Sequence, residues 1–168
     1  ESHSVSLPQF IFFMHNLYAM PITKKYPNEI QVDLVQSWPE DEIVELYRAG
    51  GWWKDGMDPG RINDLIRGSL LFAVAISIST GKAVGMGRVI SDGISDAYIQ
   101  DLVVLPEFRS MGAGKMILAR LVEECKSKKI TWIALIAQPG KENFYRAQGF
   151  VPMPGHLPML FSEEAERC

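Results

Sequence analysis

The chain has 168 residues, with 17 basic and 20 acidic side chains and a net charge of −3. That length supports one hydrophobic core rather than two, and 47% hydrophobic against 22% charged residues excludes disordered and fibrous classes. No long basic run exists, so a nucleic-acid partner held by phosphate neutralisation is excluded.

Near the start, Phe10, Ile11, Phe12, Phe13 and Met14 form an apolar run, but no Lys or Arg precedes it and Pro8 and His15 bracket it. It lacks the layout of a secretion signal and is far shorter than the roughly 20 residues a membrane span needs. A cytoplasmic protein with no membrane partner is the expectation. Cys125 and Cys168 form no Cys-x-x-Cys pair and have no histidine cluster nearby, which predicts neither a disulfide framework nor a metal site.

Residues 1–28 are expected to be an N-terminal extension or a non-native remnant, and residues 29–168 the folded domain. Ile30, Val32 and Leu34 alternate with polar residues as in a half-buried strand. Ser37 and Glu40 have capping-box spacing ahead of Ile43, Val44, Leu46 and Tyr47, so a helix is predicted to run to Gly50 and Gly51. Asp58 and Pro59 predict the cap and first turn of a second helix that stops at Gly68.

Two β-branched runs, 70–78 and 83–90, flank the turn residues 79–82 and predict an antiparallel hairpin. A further turn at 91–95 leads into a strand over 97–104. Helical spacing of Ile117, Leu118, Leu121, Val122 and Cys125 predicts a third helix from Gly112 to Lys128. Residues 131–137 read as a fully buried strand, followed by a short helix ending at Gly149. Residues 150–161 hold three prolines and are expected to give only interrupted or edge strands. The predicted order is β-α-α-β-β-β-α-β-α-β, a single mixed α/β domain.

The stretch Val104 to Lys115 connects a strand to an amphipathic helix and carries Gly112-x-Gly114. Glycines there let the backbone approach an anion, which free N–H groups and the helix dipole stabilise. The same spacing also serves a tight turn. A Walker loop is excluded, because Arg109 occupies the position of its first glycine and Met116 that of its Ser or Thr. The dinucleotide fingerprint fails as well, with Ile117 at its third glycine.

Arg109-x-x-Gly112-x-Gly114, with Tyr98 to Pro106 before it and Asn143-x-Tyr145 to Phe150 after it, resembles the GNAT superfamily of acyl-CoA-dependent N-acetyltransferases. The resemblance covers about residues 30–161 and is greatest to the branch acting on small-molecule amines. It implies a mixed, mostly antiparallel sheet flanked by helices, with central strands that splay apart. It also implies acetyl-CoA as cosubstrate, held by the backbone of Leu102, Val103 and Val104 and by the loop residues Met111, Gly112, Ala113, Gly114 and Lys115. Arg109 and Asn143 belong to the same cofactor-binding set, although a structural role is expected for the Arg109 side chain, bonding carbonyls within the loop or forming a surface ion pair.

Amide formation from a thioester needs a neutral amine, stabilisation of a developing oxyanion and a proton for the leaving sulfur. An alkylamine is protonated at neutral pH, so a base must take its proton. Asp101, in an otherwise apolar strand, is one catalytic candidate. Strict alternation puts it on the face opposite Tyr98 unless a bulge intervenes. Tyr145 matches the family tyrosine that acts as general acid, though by periodicity alone it reads as a core aromatic beside Phe144. Trp52, Trp53 and Tyr98 are candidates for the acceptor side, the two tryptophans forming either an aromatic wall or part of the core. His156 is expected to be structural. The function expected from the resemblance is acetyl transfer from acetyl-CoA to the primary amine of a small molecule, with a homodimer possible. Protein N-terminal or lysine acetylation, and acyl-CoA sensing without turnover, are the alternatives.

Overall fold

The structure is a computed structural model that describes residues 29–161. The expected extension at 1–28, with its apolar run, and Cys168 lie outside the described residues. Five strands run in the order β1 (Ile30–Leu34), β2 (Leu71–Ser77), β3 (Ala83–Ser91), β4 (Asp96–Val104) and β5 (Trp132–Ala134). The first four are mutually antiparallel and β5 joins β4 in parallel.

Helices cover both faces. α3 (Ala113–Ser127) packs Ile117, Leu118, Leu121 and Cys125 against Leu71, Ala73, Ala75 and Val89. On the other face α1 (Glu40–Ala49) and α2 (Ile62–Arg67) bring Ile43, Leu46, Tyr47 and Ile66 onto Phe72, Val74, Met86 and Val103. Because both faces are covered, the centre of β2 is a continuous apolar run. Gly87 is required by the α3 contact: a Cβ there would sit 2.9 Å from Ile117 Cγ2 and 3.2 Å from Leu102 Cδ1.

Three expectations need correction. Ser37 does not cap α1, which begins at Glu40 with Pro39 in the cap position and no side-chain cap bond. The start of α1 is instead anchored by Asn63 of α2, which accepts from the Trp38 N–H and donates to Glu40 Oε1, both at 3.1 Å. The strand expected over 131–137 shrinks to three residues and is an edge, with Trp132 48% and Ile136 59% exposed, because it has a partner on one side only. The last strand in the expected order does not form: after α4 (Glu142–Arg146), residues 150–161 contain no strand. Pro152, Pro154 and Pro158 remove N–H donors from that segment.

Asp58 behaves as expected. Its Oδ1 accepts from the Gly60 N–H at 2.9 Å and caps the 3-10 turn Pro59–Arg61 that leads into α2.

Candidate active site

Two features of β4 shape the site. Its parallel ladder with β5 ends at Tyr98 and Ala134, while β4 continues to Val104. From Ile99 onward the edge of β4 that faces away from β3 is unpaired by β5, which is the splay expected between these strands.

The second feature is a register shift against β3. Met86 pairs with Val103 and Arg88 with Gln100, so Gly87 alone opposes both Asp101 and Leu102. This is a β-bulge, and Asp101 sits in the left-handed region at φ 56°. The bulge changes which residues share a face. Ala97 and Ile99 belong to the α3 core, whereas Asp101 and Val103 turn to the side of α1. Unbroken alternation would have driven the Asp101 carboxylate into the apolar α3 core, at a cost of several kcal/mol or more for an unpaired charge. Asp101 instead shares a face with Tyr98, as only a bulge allows.

On that face the Tyr47 hydroxyl donates to Asp101 Oδ2 at 2.7 Å, and Arg88 Nε donates to the same oxygen at 2.5 Å. Arg88 Nη2 also donates to Gln100 Oε1 at 3.1 Å. The Arg88 and Asp101 side chains are only 18% and 19% exposed. Burial, reinforced by the neighbouring Asp101 charge, pushes the Tyr47 phenol well above its ordinary pKa, so it remains a donor. Tyr47 and Arg88 were not singled out from sequence, yet a signal was present: an arginine inside the small and apolar run of β3, one strand away from the carboxylate inside the otherwise apolar second half of β4.

The bulge also sets the direction of the backbone. The Leu105 N–H donates to the Val84 carbonyl at 2.9 Å, so Leu105 and Val103 point towards β3. Alternation then turns the N–H and C=O groups of Leu102 and Val104 to the open edge. Arg109 confirms the direction, since its Nε reaches the Val104 carbonyl at 3.0 Å. Of the three strand residues expected to offer backbone contacts, Leu102 and Val104 face the splay and Val103 does not.

Beyond β4 a 3-10 turn, Pro106–Phe108, leads to the glycine loop. Gly112 caps α3 at φ 91°, and Ser110 is also left-handed at φ 62°. Nothing lies within 4 Å of a Cβ built on Gly112, so its backbone conformation rather than crowding by protein atoms demands glycine. Gly114, in the first turn, lies beside Phe144 and Val104. The N–H groups of Ala113, Gly114 and Lys115 have no acceptors within the helix, and the positive end of the dipole adds to their pull on an anion. Met111 packs partly buried against the α3 core.

Tyr145 on α4 makes edge contacts to Phe144 and Phe150, with ring centroids 5.0 and 6.1 Å away, and burial raises its phenol pKa. It therefore packs as a partly buried aromatic while keeping its proton. Asn143 is exposed, and its backbone carbonyl accepts from Ala147. The Tyr98 phenol is also raised by burial, with the Ile136 backbone N–H working against the shift.

The two tryptophans have different settings. Trp52 folds back over the end of α1, edge-on to Tyr47 at 6.3 Å, and only a glycine at position 50 leaves room for it. Trp53 lines a cavity of about 330 Å3 together with Met57, Ile62, Leu65 and the flanking Asp58, Arg61 and Asp64. His156 is exposed, with Nδ1 3.0 Å from the Pro154 carbonyl. Among the described residues no His, Cys, Asp or Glu cluster could hold a metal ion, and no helix is long and apolar enough to cross a membrane.

A sheet splayed at β4 and β5, followed directly by a glycine-capped helix, is the arrangement of acyl-CoA N-acyltransferases. Residues 29–150 match the family model described as Acetyltransferase (GNAT) family. The chain belongs to that family and is an acyl-CoA-dependent N-acetyltransferase. It is 32% identical over 143 residues to GCN5-related N-acetyltransferase 3, chloroplastic, of Arabidopsis thaliana, spanning 83% of this chain and 58% of that one. It is 28% identical over 120 residues to the uncharacterized N-acetyltransferase ycf52 of Porphyra purpurea, covering 71% of this chain and 69% of the other. Serotonin N-acetyltransferase 2, chloroplastic, of Oryza sativa is 37% identical over 78 residues, 46% of this chain and 39% of its own length. Among solved structures, a GNAT family acetyltransferase of Streptococcus pneumoniae shares the fold with a TM-score of 0.67 at 23% identity, covering 80% of this chain and 98% of that one.

Proposed function

We propose that this enzyme transfers acetyl from acetyl-CoA to the primary amine of a small molecule. The observation that carries the reading is the continuity of the open β4 edge with the Gly112-capped start of α3. Together they offer a run of outward backbone N–H groups long enough for an extended chain ending in phosphates. Bound acetyl-CoA supplies an activated acyl thioester. The residues present fit it: Leu102 and Val104 would hold the extended arm, and the N–H groups from Met111 to Lys115 would take the pyrophosphate. Arg109, bonded to Val104, would brace the corner between them, and Asn143 lies on the helix that carries Tyr145.

In this reading the Leu102 N–H stabilises the developing oxyanion. Tyr145 Oη would give its proton to the leaving sulfur as the C–S bond breaks, and the proton lost by the nitrogen once the C–N bond has formed would restore the phenol through solvent. The acceptor amine is deprotonated before attack, by a base reached through water. Its apolar body would rest against Trp53 or Tyr98, the aromatic side chains on the acceptor side. The relatives' names include a serotonin acetyltransferase and several chloroplastic proteins, which favours a plastid over the cytoplasm expected from sequence. Exposed Val151, Leu157, Met159, Leu160 and Phe161 suit pairing with a second copy, a homodimer that sedimentation velocity would reveal.

The deciding experiment is thiol release from acetyl-CoA across serotonin, tryptamine, glucosamine 6-phosphate and short peptides with free N-termini or lysines. Acceptor-dependent release with the small amines is the expected result. Release with peptides alone would move the reading to protein acetylation, and CoA binding without release would leave a sensor.

A further inference from the structure

Asp101 has the position of a base but the bonding of a brace. Both Tyr47 and Arg88 donate to a single oxygen, Oδ2, from two different elements, α1 and β3. The residue they hold is the one non-glycine in β4 with a left-handed backbone. An aspartate tolerates φ 56° better than most side chains but still costs energy there, and such a conformation persists only where its surroundings over-determine it. Tyr47 and Arg88 supply that constraint. Through the bulge the constraint reaches the backbone: without it, an unbroken ladder from the Arg88 and Gln100 pair would place the Val103 N–H at the open edge and turn Leu102 towards β3. The identity of the N–H groups presented to the acyl arm thus depends on how residue 101 is held.

We infer that Asp101 is a positioning residue, in which its left-handed backbone, steadied by the Tyr47 and Arg88 bonds, keeps the β4 bulge and so aims the Leu102 N–H into the splay, while the proton of the acceptor amine is taken elsewhere. This rests on the proposed placement of acetyl-CoA along β4. A base and a brace make opposite demands on residue 101. The base must have a carboxylate. The brace needs a residue at ease with positive φ, and glycine meets that need with no carboxylate at all.

The test compares Asp101→Gly, Asp101→Asn and Asp101→Val, each followed by CoA titration calorimetry and by kcat against pH with the best amine of the panel. Glycine and asparagine are expected to keep the CoA dissociation constant within about threefold and kcat within about tenfold, with the acidic limb of the pH profile unmoved. Valine, which is strained at positive φ, is expected to weaken CoA at least tenfold. Should valine prevent folding, the glycine and asparagine variants decide alone. A loss above a hundredfold in kcat for both, with the acidic limb abolished and CoA affinity intact, would make Asp101 the base and overturn the inference. Wild-type CoA affinity in the valine variant overturns it too. Failure of the wild-type enzyme to bind CoA would remove the underlying reading itself, a result none of the variant patterns can imitate.

Discussion

Arg109 reaches back five residues to the Val104 carbonyl, Nε to oxygen 3.0 Å, and ties the glycine loop to the open edge of β4. The bond joins the two stretches of backbone that would share one ligand. Because Arg109 is exposed, its loss should scarcely touch folding, within about 0.5 kcal/mol as for ordinary surface changes. Arg109→Ala is expected to weaken CoA several-fold in a calorimetric titration while the melting temperature holds. A fall in melting temperature with unchanged affinity would show that the bond serves the fold alone.

Gly112 and Gly114 differ in what they need. At φ 91° a Cβ on Gly112 is strained although no protein atom lies near it, so Gly112→Ala should cost about 1–2 kcal/mol of stability and weaken CoA as well. Gly114→Ala meets Phe144 at 3.5 Å and Val104 at 3.7 Å, ordinary contact distances. Stability there should hold or rise slightly, since alanine favours helix, and CoA affinity alone should fall. Chemical denaturation and CoA titration of both variants separate the two effects.

Tyr145 keeps its ring contacts when the hydroxyl is removed, because Phe144 and Phe150 touch the ring. Tyr145→Phe should therefore melt with the wild type and bind CoA normally. Its kcat should drop by about a hundredfold, the scale of a lost general acid. Parallel losses in affinity and turnover would refute the acid role.

The Tyr47 phenol gives a pH signature. Its folded pKa is raised, first by burial and then by the Asp101 charge. The unfolded chain releases this proton from about pH 10, whereas the folded chain retains it. The stability contributed is complete below that pH and declines as pH rises above it. Tyr145, raised by burial, acts in the same direction. Urea midpoints measured from pH 8 to 11 should fall in the wild type, and Tyr47→Phe should flatten the decline. Equal slopes in both proteins would remove Tyr47 from the account.

Much of the fold was readable because its signals are local. The hairpin of β2 and β3, the Asp58 cap and the amphipathic stripe of α3 each follow from residues a few positions apart. The failures were of another kind. Asn63, from α2, takes over the anchoring that Ser37 was expected to provide, and nothing near Ser37 announces it. The bulge at Asp101 also escapes periodicity, because a period of two contains no mark for an inserted residue. A carboxylate in an apolar strand and an arginine in its neighbour were the only hints. Trp52 and Trp53 look equivalent in sequence and separate in space only because Gly50 lets the first fold back onto Tyr47.

The short pairing of β4 with β5 leaves half of one strand anchored on a single side. A ligand lying along that side would supply the missing neighbour, so recognition and completion of the sheet become one event. By mass action such a ligand stabilises the fold in proportion to the logarithm of its concentration over its dissociation constant. The supply of acyl donor in the surrounding compartment would then govern both how fast this protein works and how long it resists unfolding.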